Sequence, residues 1–117
     1  MKEFMLIFRR ELTPAGDQPS PEQYQGMVKK WQDWIGGLAA QNKLVATGKR
    51  MAPEGKVVHN NKTVTNGPFV EIKEGLAGYI FVNANDIDEA AEIAKGCPVI
   101  DVKGNVEVRQ IMPEGHW

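Results

Sequence analysis

One cysteine, Cys97, serves the whole chain, so no intrachain disulfide can form and no cysteine set exists to hold a structural zinc. Histidine is almost as scarce, with only His59 and His116, and they are not spaced as a paired-histidine metal motif. Neither sign of charge is in excess: 14 Lys and Arg against 15 Asp and Glu give a net charge of −1. That balance removes the electrostatic surplus on which sequence-independent nucleic-acid binding rests. No apolar run approaches the ~18 residues of a membrane span. The opening MKEFMLIFRREL has neither the long apolar segment nor the small-residue cleavage site of a secretory signal. A glycine-rich phosphate loop, a serine elbow and a dinucleotide fingerprint are also missing, so no cofactor is expected. These absences together point to a cytoplasmic protein with no nucleic-acid and no membrane partner.

What is present fits one domain over residues 1–117: the length is in the range of a single modest core, and 42% apolar with 25% charged residues is a globular composition. Alternation predicts a strand from Phe4 to Arg9, with Phe4, Leu6 and Phe8 on one face and Met5 and Ile7 on the other. Ser20 as cap, Pro21 at the first helical position and Gln23 placed to reach back mark a helix start. Tyr24, Met27, Val28, Trp31, Trp34, Ile35 and Leu38 then form one helical stripe. Gly36 and Gly37 cost that helix roughly 1 kcal/mol each, less than the stripe returns on burial.

A strand is predicted from Lys43 to Met51, then a hairpin from Lys56 to Thr65 with Asn60 and Asn61 at its tip. Asn66, Gly67 and Pro68 read as a turn. Leu76 to Val82 reads as a strand with Leu76, Ile80 and Val82 on one face and Ala77, Tyr79 and Phe81 on the other. Asn85 is the expected cap of a second helix with the stripe Ile87, Ala90, Ala91 and Ala94, stopped by Gly96 and Pro98. Asn105 to Met112 is the last strand, its Val106 and Val108 alternating with Glu107 and Arg109.

This order is the βαββαβ pattern of α+β, ferredoxin-like domains, with an inserted β-hairpin. Right-handed crossovers put both helices on one face of an antiparallel sheet and the two doubly apolar strands in its middle. Helices cover one apolar face; the other needs a cover as well. A homodimer through face-to-face sheets supplies it, with a ligand pocket or the inserted hairpin as competing covers.

The stretch TVTNGPFVEIKEGLAGYIFVNANDIDEAAEIAK followed by GNVEVRQIMPE resembles the signature region of the YCII-related, DGPF-motif family. LVATGKRM and MKEFMLIF fit it as well, so the likeness runs over almost the whole chain. The resemblance implies a dimeric α/β barrel, and the wider group contains lactone isomerases, dehalogenating lactone enzymes and small monooxygenases. Genes of the family often neighbour those of extracytoplasmic-function sigma factors. One residue departs from the pattern: Asn66 stands where the motif has aspartate, followed by the expected Gly67, Pro68 and Phe69. Asparagine donates and accepts hydrogen bonds but cannot take up a proton as a carboxylate does. Glu71, Lys73 and Glu74 stand as the family has them.

Three functional readings follow. A small acid–base enzyme acting on an organic acid or lactone would use His59, Asn66 and Glu71 as catalytic candidates, because histidine is the residue type that titrates near neutrality. Arg9, Lys49, Lys73 and Phe69 would bind its substrate. A non-catalytic dimer that binds a small molecule or a protein, with sigma-factor regulation as its setting, is the alternative. RNA binding is the third, since Gly78-Tyr79-Ile80-Phe81-Val82 partly mimics the stacking strand of an RRM, but the basic residue that leads that motif is absent. Beside these stand plain structural readings: a tight turn for Asn66-Gly67-Pro68, core packing for Trp31 and Trp34, and an inert thiol for Cys97.

Overall fold

The structure is a computed structural model that describes residues 1–11, 20–67 and 75–113. Its elements are β1 (Lys2–Arg10), α1 (Pro21–Ala40), β2 (Leu44–Arg50), β3 (Gly55–Val58), β4 (Val64–Gly67), β5 (Gly75–Ala84), α2 (Ile87–Ala94), a 3-10 helix (Pro98–Val102) and β6 (Asn105–Gln110). The main sheet is antiparallel with the order β2-β5-β1-β6, and β3 pairs with β4 in a separate hairpin. This is the α+β, ferredoxin-like arrangement expected from the sequence, with the two doubly apolar strands β1 and β5 at the centre.

One face of the sheet carries the core. Phe4, Leu6, Phe8, Ile80, Val82 and Ala84 pack there against Leu38 of α1 and Ala90, Ile93 and Ala94 of α2. Trp31 and Trp34 close over Phe8 edge-on, with ring centroids 5.0 and 6.0 Å away, as packed aromatic residues prefer. Burial along the stripe of α1 falls towards its start: Leu38 is buried, Met27, Val28, Trp31, Trp34 and Ile35 are half-buried, and Tyr24 is 47% exposed.

Helix ends follow local chemistry. The Gln23 amide donates to Ser20 Oγ at 3.2 Å and the Ser20 amide donates to Gln23 Oε1 at 3.0 Å, the reciprocal capping box the sequence predicts. α1 stops at Asn42, whose φ of 61° lets the Lys43 amide donate back to Leu38 and the Asn42 amide to Ala39, a Schellman ending. The start of α2 differs from expectation by one residue. Asp86, not Asn85, is the cap, its carboxylate accepting from the Glu89 amide at 2.8 Å, while Asn85 Nδ2 donates to the Glu89 side chain. The buried stripe of α2 also differs from expectation: Ala90, Ile93 and Ala94 enter the core and Ile87 is 51% exposed.

The hairpin brings a second correction. Asn66 and Gly67 are not a turn but ladder residues of β4, paired with Lys56 and Gly55. Cross-strand pairing overrides their local preference for turns. The bend lies at residues 59–62, where the Lys62 amide donates to the His59 carbonyl and Lys62 itself takes the left-handed conformation at φ 70°. β3 and β4 pair with each other in a sheet separate from the main one, and Val58 and Val64 on this hairpin stay 68% and 54% exposed among the described residues. No described helix is long and apolar enough to cross a membrane.

Candidate functional site

The second face of the sheet follows from register. Partners directly opposite in an antiparallel pair point to the same side, so Met5 and Phe81, Ile7 and Tyr79 share the face away from the helices. All four are half-buried. Tyr79 and Phe81 meet edge-on at 5.7 Å, and Gly48 of β2 lies so close to Tyr79 that an added Cβ would strike the Tyr79 ring and carbonyl. Glycine at 48 thus lets β2 lie under an aromatic ring.

At the β6 edge the strip turns polar. Glu107, opposite Ile7, accepts from Arg9 Nη2 at 3.2 Å and Nε at 3.4 Å through one carboxylate oxygen, and from Arg109 Nη1 at 3.5 Å through the other. Two guanidiniums therefore share one carboxylate. Arg9 follows an irregularity in the pairing of β1 with β5 between Phe8 and Arg9, a feature that re-aims side chains and recurs beside functional sites. In the sequence Glu107 and Arg109 read only as the polar half of an alternating strand; the signal that finds them is the pairing of that half with the apolar side of β1.

Of the other candidates, His59 and Asn66 lie exposed on the hairpin. His59 Nε2 is 2.9 Å from Thr65 Oγ1, and Lys56 Nζ donates to Asn66 Oδ1 at 3.2 Å. Lys49 is exposed on β2. Glu71, Lys73 and Phe69 lie outside the described residues, as does His116. The structure therefore brings Arg9 together with Glu107 and Arg109, while His59 and Asn66 share the hairpin.

An open groove of about 380 Å³ runs between α1 and α2, floored by Trp34, Leu38 and Ile93 and rimmed by Asp33, Glu89 and Glu92; the sequence candidates do not line it. Cys97 is 2% exposed. Burial pushes its thiol up to about 12, a backbone hydrogen bond at Val99 opposes the rise and the Asp101 carboxylate adds to it, so the nucleophilic thiolate is suppressed. Among the described residues no three His, Cys, Asp or Glu side chains converge to hold a metal.

Fold and surface together define a ferredoxin-like α+β domain with one helix-covered sheet face and one apolar face bordered by an arginine–glutamate network. The family is narrower than that class: the family model of the YCII-related domain matches residues 11–114, and the chain belongs to this family. A comparison with curated proteins finds no match.

Proposed function

We propose that this single-domain cytoplasmic protein works as a homodimer with its sheets face to face, and that it binds a small organic acid at the rim of that face without turning it over. The supporting observation is the composition of the second sheet face, where Met5, Ile7, Tyr79 and Phe81 run up to two arginines that share Glu107. A second sheet stacked ~10 Å away would bury such a strip. Guanidinium groups hold a carboxylate through paired, charge-assisted hydrogen bonds, so the arginine-bearing edge is where a small organic acid would be held. The two described catalytic candidates, His59 and Asn66, are exposed on the hairpin, which favours binding over acid–base chemistry.

Turnover of an organic acid or lactone is the second reading. It draws on the His59 ring, oriented by Thr65 on the same hairpin as Asn66, and requires that ring to reach the ligand.

The test is an NMR titration of the labelled protein with small carboxylates and lactones, alongside sedimentation equilibrium. Expected are a mass twice the 13.0 kDa of one chain and shifts centred on Ile7, Arg9 and Arg109. Arg9→Gln should weaken binding about tenfold or more, since one charge-assisted bond is worth roughly 1.5–3 kcal/mol. A monomeric mass, or no shifts at these residues at millimolar ligand, would refute the proposal, and loss of the added lactone would establish the second reading in its place.

A further inference from the structure

The β3–β4 hairpin has no reason to hold its shape alone. Val58 and Val64 face each other across its ladder and are 68% and 54% exposed, and the hairpin forms a sheet separate from the main one. A two-stranded ribbon without cover is marginally stable in water, so an exposed valine pair on such a ribbon needs a surface to rest on.

The sheet face has the complementary shortfall. Four strands ~4.8 Å apart, of 9, 7, 10 and 6 residues at ~3.4 Å each, project only about 520 Å², against roughly 800 Å² per partner in a stable interface. Each hairpin would add about 130 Å² of its own and cover as much of its neighbour, which brings the total near the required area. Reach is sufficient: from Gly55 to the bend the hairpin extends about 17 Å, more than the ~10 Å between stacked sheets.

We infer that the β3–β4 hairpin is an arm that docks, through Val58 and Val64, on a second copy of the chain and completes the ligand rim in trans. This rests on the face-to-face dimer proposed above and goes beyond it. His59 and Asn66, whose side-chain partners Thr65 and Lys56 belong to the same hairpin, would then meet the arginine-bearing edge of the other subunit. The rim is thus built from the sheet of one copy and the hairpin of the other.

The experiment is sedimentation equilibrium of the wild type, the double variant Val58→Glu/Val64→Glu and Tyr79→Glu, with circular dichroism as the check on folding. Both valines are exposed in one chain, so the double variant is expected to keep the wild-type spectrum while its dimer dissociation constant rises at least 100-fold. A wild type that stays monomeric overturns the dimer and the arm together. A dimer that Tyr79→Glu dissociates and the double variant leaves intact overturns the arm alone. Isotope-filtered NOEs on a mixture of labelled and unlabelled wild type decide independently of any variant: contacts from the Val58 and Val64 methyls to the other copy support the arm, and contacts confined to their own chain overturn it.

Discussion

Replacing Cys97 by alanine should flatten the alkaline limb of the stability curve. The thiol is 2% exposed and raised by its burial from 9.0 to about 12, with a backbone hydrogen bond at Val99 opposing and Asp101 reinforcing the shift. A folded-state pKa above the unfolded one means that the native chain keeps a proton the unfolded chain releases. The contribution to stability is therefore complete below pH 9 and is lost as pH rises towards about 12. At about 1.4 kcal/mol per unit, the wild type should lose about 1.4 kcal/mol between pH 8 and pH 10 beyond whatever the alanine variant loses, and about 4 kcal/mol across the whole window. Urea unfolding at several pH values, followed through the fluorescence of Trp31 and Trp34, measures the difference directly. Deprotonation also governs reactivity: at pH 8 the native thiolate should be about 1,000-fold scarcer than in the unfolded chain, so labelling by a disulfide reagent should be slowed at least that much. Wild-type and Cys97→Ala curves that run parallel within about 0.3 kcal/mol, or native labelling as fast as in urea, would refute the reasoning.

Phe8→Ala should cost about 3–5 kcal/mol in denaturant unfolding, because it removes a 4% exposed ring and its edge contacts with Trp31 and Trp34; a cost below about 1 kcal/mol would mean the core does not close there. Asp86→Ala should cost about 1 kcal/mol and Asn85→Ala clearly less, since Asp86 accepts the Glu89 amide; thermal unfolding of the pair reverses this order if Asn85 is the true cap. Gly36→Ala should stabilise α1 by about 0.5–1 kcal/mol, because a Cβ there meets no atom within 4 Å; a fall in midpoint would show that position 36 is covered by something outside the described chain.

Much of this protein is legible in its order of residues. The capping box at Ser20 and Gln23 is a local geometry of a few bonds, and it needs no tertiary help to be recognised. The same holds for the strands at the sheet centre, whose side chains alternate by backbone geometry, and both faces of Phe4 to Arg9 are apolar in the text itself. The element order then leaves few topologies, of which β2-β5-β1-β6 is the one found. Membership of the YCII-related family agrees with the resemblance carried by those segments.

Tertiary structure decided what depends on register and on distant partners. Asn85 and Asp86 both offer a side-chain oxygen to a helix start, and only the backbone path selects the second; docking of α2 on the sheet decides that Ile93 is buried and Ile87 exposed. Asn66 and Gly67 look like a turn because turn preference is local, but the ladder bonds to Lys56 and Gly55 outweigh it once the strands are side by side. Arg9 could be named a candidate cation from the sequence, while its partner Glu107 lies 98 residues away. No local rule links residues so far apart; the β1–β6 register brings them to one edge, and with them the charge that marks the proposed site.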